Sequence, residues 1–232
     1  MKASRRLGRL VQDVAARMRR RTAPTPSTAR WVVLDVESTG LDPARDHLLA
    51  IAAVALRMDR ARPEIDLADS FDAVLQHEMR HTDKANILLH GIGVGAMRAG
   101  LVPADVLRHF DQWAGDAPRL GFHVAFDRAL IERAEREALG RVQPALWLDI
   151  EPLAAITHPK AQPAQAAQAA KVGALDEWLL HFGIPCLQRH QAMADALATA
   201  ELLLRLWPRL QRECRGGDAR ALARLAAARR WL

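Results

Sequence analysis

The sequence predicts an α/β domain in which helices pack on the faces of a mixed sheet. Three apolar, β-rich segments come first, at 31–36, 48–58 and 70–75, and short connections join them. Such a series is typical of an antiparallel meander. Strands and helices alternate in the rest of the chain, and this order favours a mixed sheet covered by helices.

The strands are predicted from their runs of apolar and β-branched residues. The first, WVVLDV, begins at Trp31 and ends among carboxylates, and the second, LLAIAAVALRM, is almost entirely apolar. Two further short strands are predicted at 119–122 and 145–148.

The helices are predicted from apolar residues at helical spacing. In one of them Phe126, Leu130 and Ala134 form the apolar face, and Gly183 and Pro208 mark the ends of two later helices. The predicted helices cover 5–21, 83–90, 94–99, 103–114, 124–139, 149–156, 174–182, 191–206 and 218–231. Residues 158–172, rich in Ala, Gln and Pro, predict a flexible loop.

Charge divides the chain into three parts. Residues 1–30 carry nine Lys and Arg against one acid, residues 205–232 carry eight Arg against two acids, and the middle is acidic. We therefore predict a basic N-terminal helix and linker over 1–30, a central domain over 31–207 and a basic helical extension over 208–232. Basic ends suit contact with a phosphate backbone. Arginine richness from genome composition explains them equally well, since only four of the thirty-three basic residues are Lys.

Several protein classes are excluded by composition. No apolar run approaches the ~18 residues of a membrane span, and the charged N-terminus has no apolar segment of a secretory signal. Cys186 and Cys214 form neither a disulfide framework nor a metal-type spacing, so we interpret them as ordinary reduced thiols. The expected location is the cytoplasm.

Asp35 and Glu37 are the first candidate site residues. They are two positions apart on a predicted strand, and strand side chains alternate, so both carboxylates point to one face. Ser38, Thr39 and Gly40 follow, which places the acids at an exposed edge of the sheet where backbone can approach a ligand. An acid pair of this kind alone is a weak signal, because most are solvated strand ends.

Three more candidates lie near helix starts. Asp127 falls in the first turn of a predicted helix, where an acid favoured by the helix dipole is the ordinary explanation. His190 and Asp195 lie on either side of another helix start, five residues apart, so they do not share a helical stripe. A histidine in the preceding loop suits deprotonation of a water. An ordinary surface histidine is the alternative for His190 taken alone.

Four carboxylates gathered in one site would need compensation, because neighbouring like charges resist ionisation. Hard divalent cations with oxygen ligands are the usual means. Two such ions activate a water and stabilise the leaving oxygen at phosphorus. The set therefore indicates hydrolysis of phosphodiesters.

Taken together, Asp35-x-Glu37, Asp127 and His190-x4-Asp195 resemble the DEDDh family of 3′–5′ exonucleases, which includes the proofreading epsilon subunit of bacterial DNA polymerase III. The resemblance runs from about Trp31 to Leu206. It implies a ribonuclease-H-like fold and two Mg²⁺ or Mn²⁺ ions held by the four acids. It also implies that His190 is the general base. The sister subclass has tyrosine there, and this chain contains no tyrosine.

The resemblance extends to residues that meet the 3′-terminal nucleotide in the family. The implied substrate-binding set is Val36, Ser38, Thr39, His90, Ile92, His123 and Phe126. The family's second motif reads glycine-histidine-asparagine, whereas this chain has Gly121-Phe122-His123, so His123 must replace the asparagine. No clamp-binding peptide follows the last core helix, which argues against an orthodox replicative subunit.

These observations predict a metal-dependent exonuclease that releases nucleoside monophosphates from the 3′ end of single-stranded DNA, in proofreading or repair. RNA is the alternative substrate, and a DNA polymerase is a possible partner. A non-catalytic nucleic-acid-binding module is the alternative from another class. All five catalytic positions are filled, which argues against that module.

Overall fold

The structure, a computed structural model, describes residues 29–58, 63–78, 90–159, 175–186, 188–213 and 218–228. Its strands are β1 (Ala29–Ser38), β2 (Leu48–Met58), β3 (Glu64–Val74), β4 (Arg119–Gly121) and β5 (Trp147–Asp149). Its helices are α1 (Val94–Ala99), α2 (Pro103–Ala114), α3 (Ala125–Leu139), α4 (Ile150–Thr157), α5 (Leu175–Phe182), α6 (Ala192–Glu213) and α7 (Ala219–Ala228).

The sheet is mixed, as the sequence predicts, with strand order β3-β2-β1-β4-β5. The first three strands form the expected antiparallel meander, while β4 pairs with β1, and β5 with β4, in parallel. The expectation that the acid pair lies at an edge of the sheet is wrong. Because β4 adds beside β1, β1 is the central strand, and the acids lie near its carboxyl end.

Alternation along β1 divides the core into two layers. Trp31 and Val33 belong to the cluster that contains the buried residues of α5, α6 and α7. Val32 and Leu34 belong to the opposite cluster, with Phe110 of α2 among its members. Asp35 and Glu37 continue the first of these two faces toward α6.

The helix predicted to end near Pro208 is longer than expected. α6 runs from Ala192 to Glu213 with Pro208 inside it. A proline removes one backbone hydrogen bond, but Trp207 and Leu210 on either side are buried and hold the helix against the core. α7 also packs on α4 and β5, and its Leu222 is buried in the core cluster that contains Trp31 and Val33.

Other bounds shift by a few residues. The third strand begins at Glu64 rather than 70, because a register shift between Val54 and Ala55 lets β3 continue pairing. Three predicted segments lie outside the described residues: the helix 5–21, residues 83–89 of the helix 83–90, and most of the loop 158–172. None of the helices that the structure describes is long and apolar enough to cross a membrane.

Candidate active site

The acid pair lies near the carboxyl end of β1, just before Ser38, Thr39 and Gly40. Asp35 lies opposite Ala52 of β2, and Glu37 lies opposite Ala50. Oε1 of Glu37 is buried without a hydrogen-bond partner, which is costly for an ionised oxygen unless a ligand satisfies it.

Asp127 reaches the same place from the first turn of α3, where it is only 5% exposed. The backbone N–H groups of Val36 and of Asp127 itself hydrogen-bond its carboxylate. The turn before α3 is tight: a Cβ on Gly121 would come within 2.9 Å of Val124 Cγ2 and 3.2 Å of the Leu34 carbonyl oxygen. A glycine at this position therefore brings the start of α3 against β1.

Asp195 comes from the first turn of α6 and is 6% exposed. Its Oδ2 accepts a hydrogen bond of 3.1 Å from the backbone N–H of His190. His190 is exposed and has φ of 64°, in the left-handed region, which non-glycine residues seldom adopt. The predicted arrangement, with the histidine in the loop and the acid on the helix, is confirmed.

Electrostatics shows that the four acids face one another; they are called the acid cluster (Asp35, Glu37, Asp127, Asp195). Burial, and then the charges of the other three, raise the pKa of Asp35 well above its usual range. Burial, followed by Asp195 and Asp127, raises the pKa of Glu37 to about 8.

Asp127 behaves in the same way. Burial raises its pKa to about 7, the nearby charge of Asp149 adds to the rise, and its backbone hydrogen bonds oppose it. Asp149 caps α4, accepting from Glu151 N–H, and also accepts from the backbone N–H of His123 at 3.0 Å. His123 therefore helps to fix the chain before α3, with φ of 58°.

Arg189 enters the acid cluster from the loop before α6. Its Nη1 pairs with Oδ1 of Asp195, and its Nε pairs with Asp176 of α5. Its charge lowers the pKa of both Asp35 and Glu37, against the larger effects that raise them. The sequence reasoning missed this residue; an arginine directly before the candidate base was the available signal.

The donor set fits a hard divalent cation. All four members of the acid cluster offer carboxylate oxygens, burial and neighbouring negative charge raise the pKa values of Asp35, Glu37 and Asp127, and Glu37 Oε1 has no hydrogen-bond partner among the described residues. Within the described ranges, no three His, Cys, Asp or Glu side chains are grouped as a formed metal site.

The loop after β1 is tightly organised around Asp46. Oδ1 of Asp46 accepts from Thr39 Oγ1 at 2.9 Å, and Oδ2 accepts from the Asp42 backbone N–H at 2.8 Å. A Cβ on Gly40 would lie 2.5 Å from the Asp46 carboxylate. Leu41, beside that glycine, is 89% exposed. Asp46 and Leu41 were not predicted from the sequence. The signal available there was a leucine directly after Gly40.

The other predicted substrate-binding residues have defined surroundings. Val36 is buried, and Ser38 Oγ donates to the Gly40 carbonyl at 2.6 Å. His90 is buried, its Nδ1 accepts from the Ile92 N–H at 3.0 Å, and its Nε2 has no partner. Phe126 packs partly buried against the second core cluster. Their contact with a nucleotide stays a prediction.

Comparison with known proteins gives a family and two groups of relatives. The model of the exonuclease family RNase_T matches residues 32–203. A DNA polymerase III subunit epsilon-like protein of Rhodobacter capsulatus is 31% identical over 182 residues, covering 78% of this chain and 24% of that protein. The PolC-type DNA polymerase III of Latilactobacillus sakei is 28% identical, covering 77% of this chain and 11% of that protein. The chain thus spans a quarter or less of these relatives.

Solved structures share the fold at low identity. Escherichia coli exonuclease I in complex with a dT13 oligonucleotide superposes with a TM-score of 0.64 at 18% identity, covering 80% of this chain and 42% of that one. The cell-death related nuclease CRN-4 gives 0.61 at 16% identity, covering 76% and 63%. The predicted ribonuclease-H-like fold is confirmed.

Proposed function

Since the chain belongs to the exonuclease family RNase_T, within which its motifs are of the DEDDh 3′–5′ type, we propose that it is a metal-dependent 3′–5′ exonuclease that hydrolyses the terminal phosphodiester of single-stranded DNA. One observation carries this proposal. Four carboxylates from β1, α3 and α6 meet in one place and repel one another, with a histidine beside them.

Each residue has a role in this proposal. The acid cluster would hold two Mg²⁺ or Mn²⁺ ions, which when bound would lower the pKa of a water and stabilise charge at phosphorus. His190 accepts the proton of the attacking water at its imidazole. The hydrogen bond from its backbone to Asp195 fixes the loop, while its exposed ring remains able to reach the substrate. Loss of the 3′ nucleotide as a monophosphate completes the reaction.

DNA is favoured over RNA by the relatives. The two relatives quoted above, from Rhodobacter capsulatus and Latilactobacillus sakei, are named as DNA polymerase III proteins. The exonuclease I structure is a complex with a dT13 oligonucleotide. RNA remains the second candidate, because contacts to a 2′-hydroxyl can come from backbone near the first acid pair. The same relatives support a DNA polymerase as a partner and a cytoplasmic location.

The substrate-side roles belong to the same proposal. The loop ordered by Asp46 carries Thr39 and the exposed Leu41 directly after β1. With Val36, Ser38, His90, Ile92, His123 and Phe126, Thr39 makes up the predicted contacts with the terminal nucleotide. The basic segments 1–30 and 208–232 hold the phosphate backbone farther along the strand.

The test is to incubate the purified protein with 5′-labelled single-stranded DNA or RNA in Mg²⁺, Mn²⁺ or EDTA. We expect a ladder shortening from the 3′ end, faster on DNA, and no products in EDTA. Asp195→Ala should be inactive, whereas Asp105→Ala, an exposed acid of α2, should retain the full rate. Cleavage in EDTA, or by Asp195→Ala, would contradict the proposal, and a faster RNA ladder would reassign the substrate.

A further inference from the structure

Arg189 forms ion pairs with two aspartates, one buried and one exposed. Its Nη1 pairs with Asp195, a buried member of the acid cluster, while its Nε lies 2.5 Å from Oδ1 of Asp176, an exposed residue of α5. One guanidinium therefore links the first turn of α6 to α5 across the loop that carries His190. A guanidinium presents donors in a fixed fork and stays charged at all working pH values.

The ion pair with Arg189 occupies Oδ1 of Asp195, an oxygen that a bound cation would need. Oδ1 faces Arg189 and the Cys186 thiol at 3.7 Å, while Oδ2 accepts from His190 N–H. Any ion that takes Oδ1 must displace the guanidinium, because two cations cannot occupy that side of one oxygen without strong repulsion.

Asp176 offers the displaced guanidinium a second partner. It is exposed, so it remains solvated and available whether or not Asp195 is engaged. The Nε contact ties Arg189 to α5, so the side chain can leave Asp195 by a small rotation without losing its remaining ion pair.

We propose that Arg189 is a positioning residue that neutralises the acid cluster in the metal-free protein and is retained by Asp176 when a divalent cation takes Asp195. This inference rests on the proposed metal-dependent activity. It assigns Arg189 two linked effects: it stabilises the metal-free fold, and it weakens ion binding by competition.

The two partners of Arg189 provide a test with opposite expected signs. Arg189→Gln removes the competitor, so Mn²⁺ should bind about tenfold more tightly, equivalent to about 1.4 kcal/mol, and Tm in EDTA should fall. Asp176→Asn leaves Asp195 as the only acid, among the described residues, with which Arg189 forms an ion pair, so Mn²⁺ should bind several-fold more weakly. Binding is measured by isothermal titration calorimetry, and Tm by differential scanning fluorimetry with and without Mn²⁺.

Arg108→Gln is the matched control, because it breaks an exposed ion pair to Asp105 on α2 and should change neither Mn²⁺ affinity nor Tm in EDTA. A merely structural role for Arg189 would shift both variants in the same direction and overturn the inference. Unchanged affinities in variants of an active, Mn²⁺-binding protein would also overturn it while leaving the proposed function intact. A wild-type protein that binds no Mn²⁺ would contradict both the inference and the proposed function. If Arg189→Gln fails to fold in EDTA, it is folded in Mg²⁺ and titrated with Mn²⁺ in competition beside the wild type: tighter Mn²⁺ binding than in the wild type supports the inference, and weaker binding overturns it.

Discussion

Two buried groups of carboxylates in this protein are compensated in opposite ways. The core ion cluster (Asp111, Arg119, Glu135, Arg141) joins α2, β4 and α3. Arg119 is fully buried and donates to Asp111 at 3.2 Å, and Arg141 pairs with the other oxygen of Asp111 at 3.2 Å. Arg119 also lies over the rings of Phe110 and Trp147. Two acids thus have two arginines.

The acid cluster has four carboxylates, and in the part of the chain that the structure describes Arg189 is the one cation paired with any of them. Both groups bear the cost of burial: it raises the pKa of Glu135 to about 7, as it does that of Asp127. The core ion cluster carries its countercharge in the fold, whereas carboxylates of the acid cluster have raised pKa values and hold protons near neutral pH. Carboxylates with raised pKa values gathered in one place are typical of a functional site.

The largest expected effect comes from neutralising one acid of each group. Asp35→Asn should reduce exonuclease activity by about 10³-fold or more, because it removes a ligand of the charge-stabilising ions. It should also raise Tm in EDTA, since it relieves repulsion. Asp111→Asn should do the reverse, lowering Tm while activity per folded molecule persists.

Activity assays and thermal melts in EDTA check this pair together. A lower Tm for Asp35→Asn would mean that the acid cluster is compensated as well as the core ion cluster, and the contrast between the two regions would be lost.

A second test concerns His190, the exposed histidine beside the acid cluster. His190→Asn should lower kcat by about 10²–10⁴-fold, the usual contribution of positioned proton transfer, with little change in KM. Asparagine tolerates the left-handed backbone at this position, so the loop should keep its shape. His109→Ala, an exposed histidine of α2, is the control. A kcat within a few-fold of wild type would assign proton transfer to another group.

The third test breaks the core ion cluster itself. Arg119→Met leaves Asp111 and Glu135 buried with less positive charge, and such losses typically cost about 3–5 kcal/mol. Urea unfolding measures the free energy. Arg108→Gln, in an exposed pair, should change it by less than about 1 kcal/mol. Equal effects of the two substitutions would show that the buried arginine adds nothing beyond a surface pair.

Local pattern predicted the mixed sheet and the placement of each acid on its own element, whereas the gathering of the four acids in one site was implied by the resemblance to the DEDDh family. Alternation along β1 sends Asp35 and Glu37 to one face, and the helix starts at Asp127 and Asp195 follow from apolar spacing. The central position of β1 was missed because pairing with β4 joins residues far apart in the chain. Arg189, Asp46 and the core ion cluster were missed for the same reason: each depends on a partner that the sequence does not place beside it.

The smallest expected effect is a dependence of metal-free stability on pH between 7 and 8.5. In this range unfolded Asp and Glu are already ionised, while folded Glu37, with a pKa of about 8, and Asp127, with a pKa of about 7, still lose protons. The folded state therefore binds more protons than the unfolded state, and stability falls as pH rises. Histidines act in the opposite direction: burial lowers the pKa of His77, His90 and His158, which adds stability as pH rises through about 6.5.

Because the histidine effect is nearly complete above pH 7, melts in EDTA at pH 7 and 8.5 report the groups whose pKa is raised in the folded protein: the carboxylates and the Cys186 thiol, whose pKa burial also raises. We expect Tm of the wild type to fall by a few degrees and the fall to be smaller in Glu37→Gln. Glu135 and Cys186 are unchanged in that variant, so the difference between the two proteins reports the acid cluster. Saturating Mg²⁺ should abolish the difference, since ions hold the carboxylates ionised at both pH values. Identical slopes for wild type and Glu37→Gln would show that the charge at the end of β1 is compensated as fully as that of the core ion cluster.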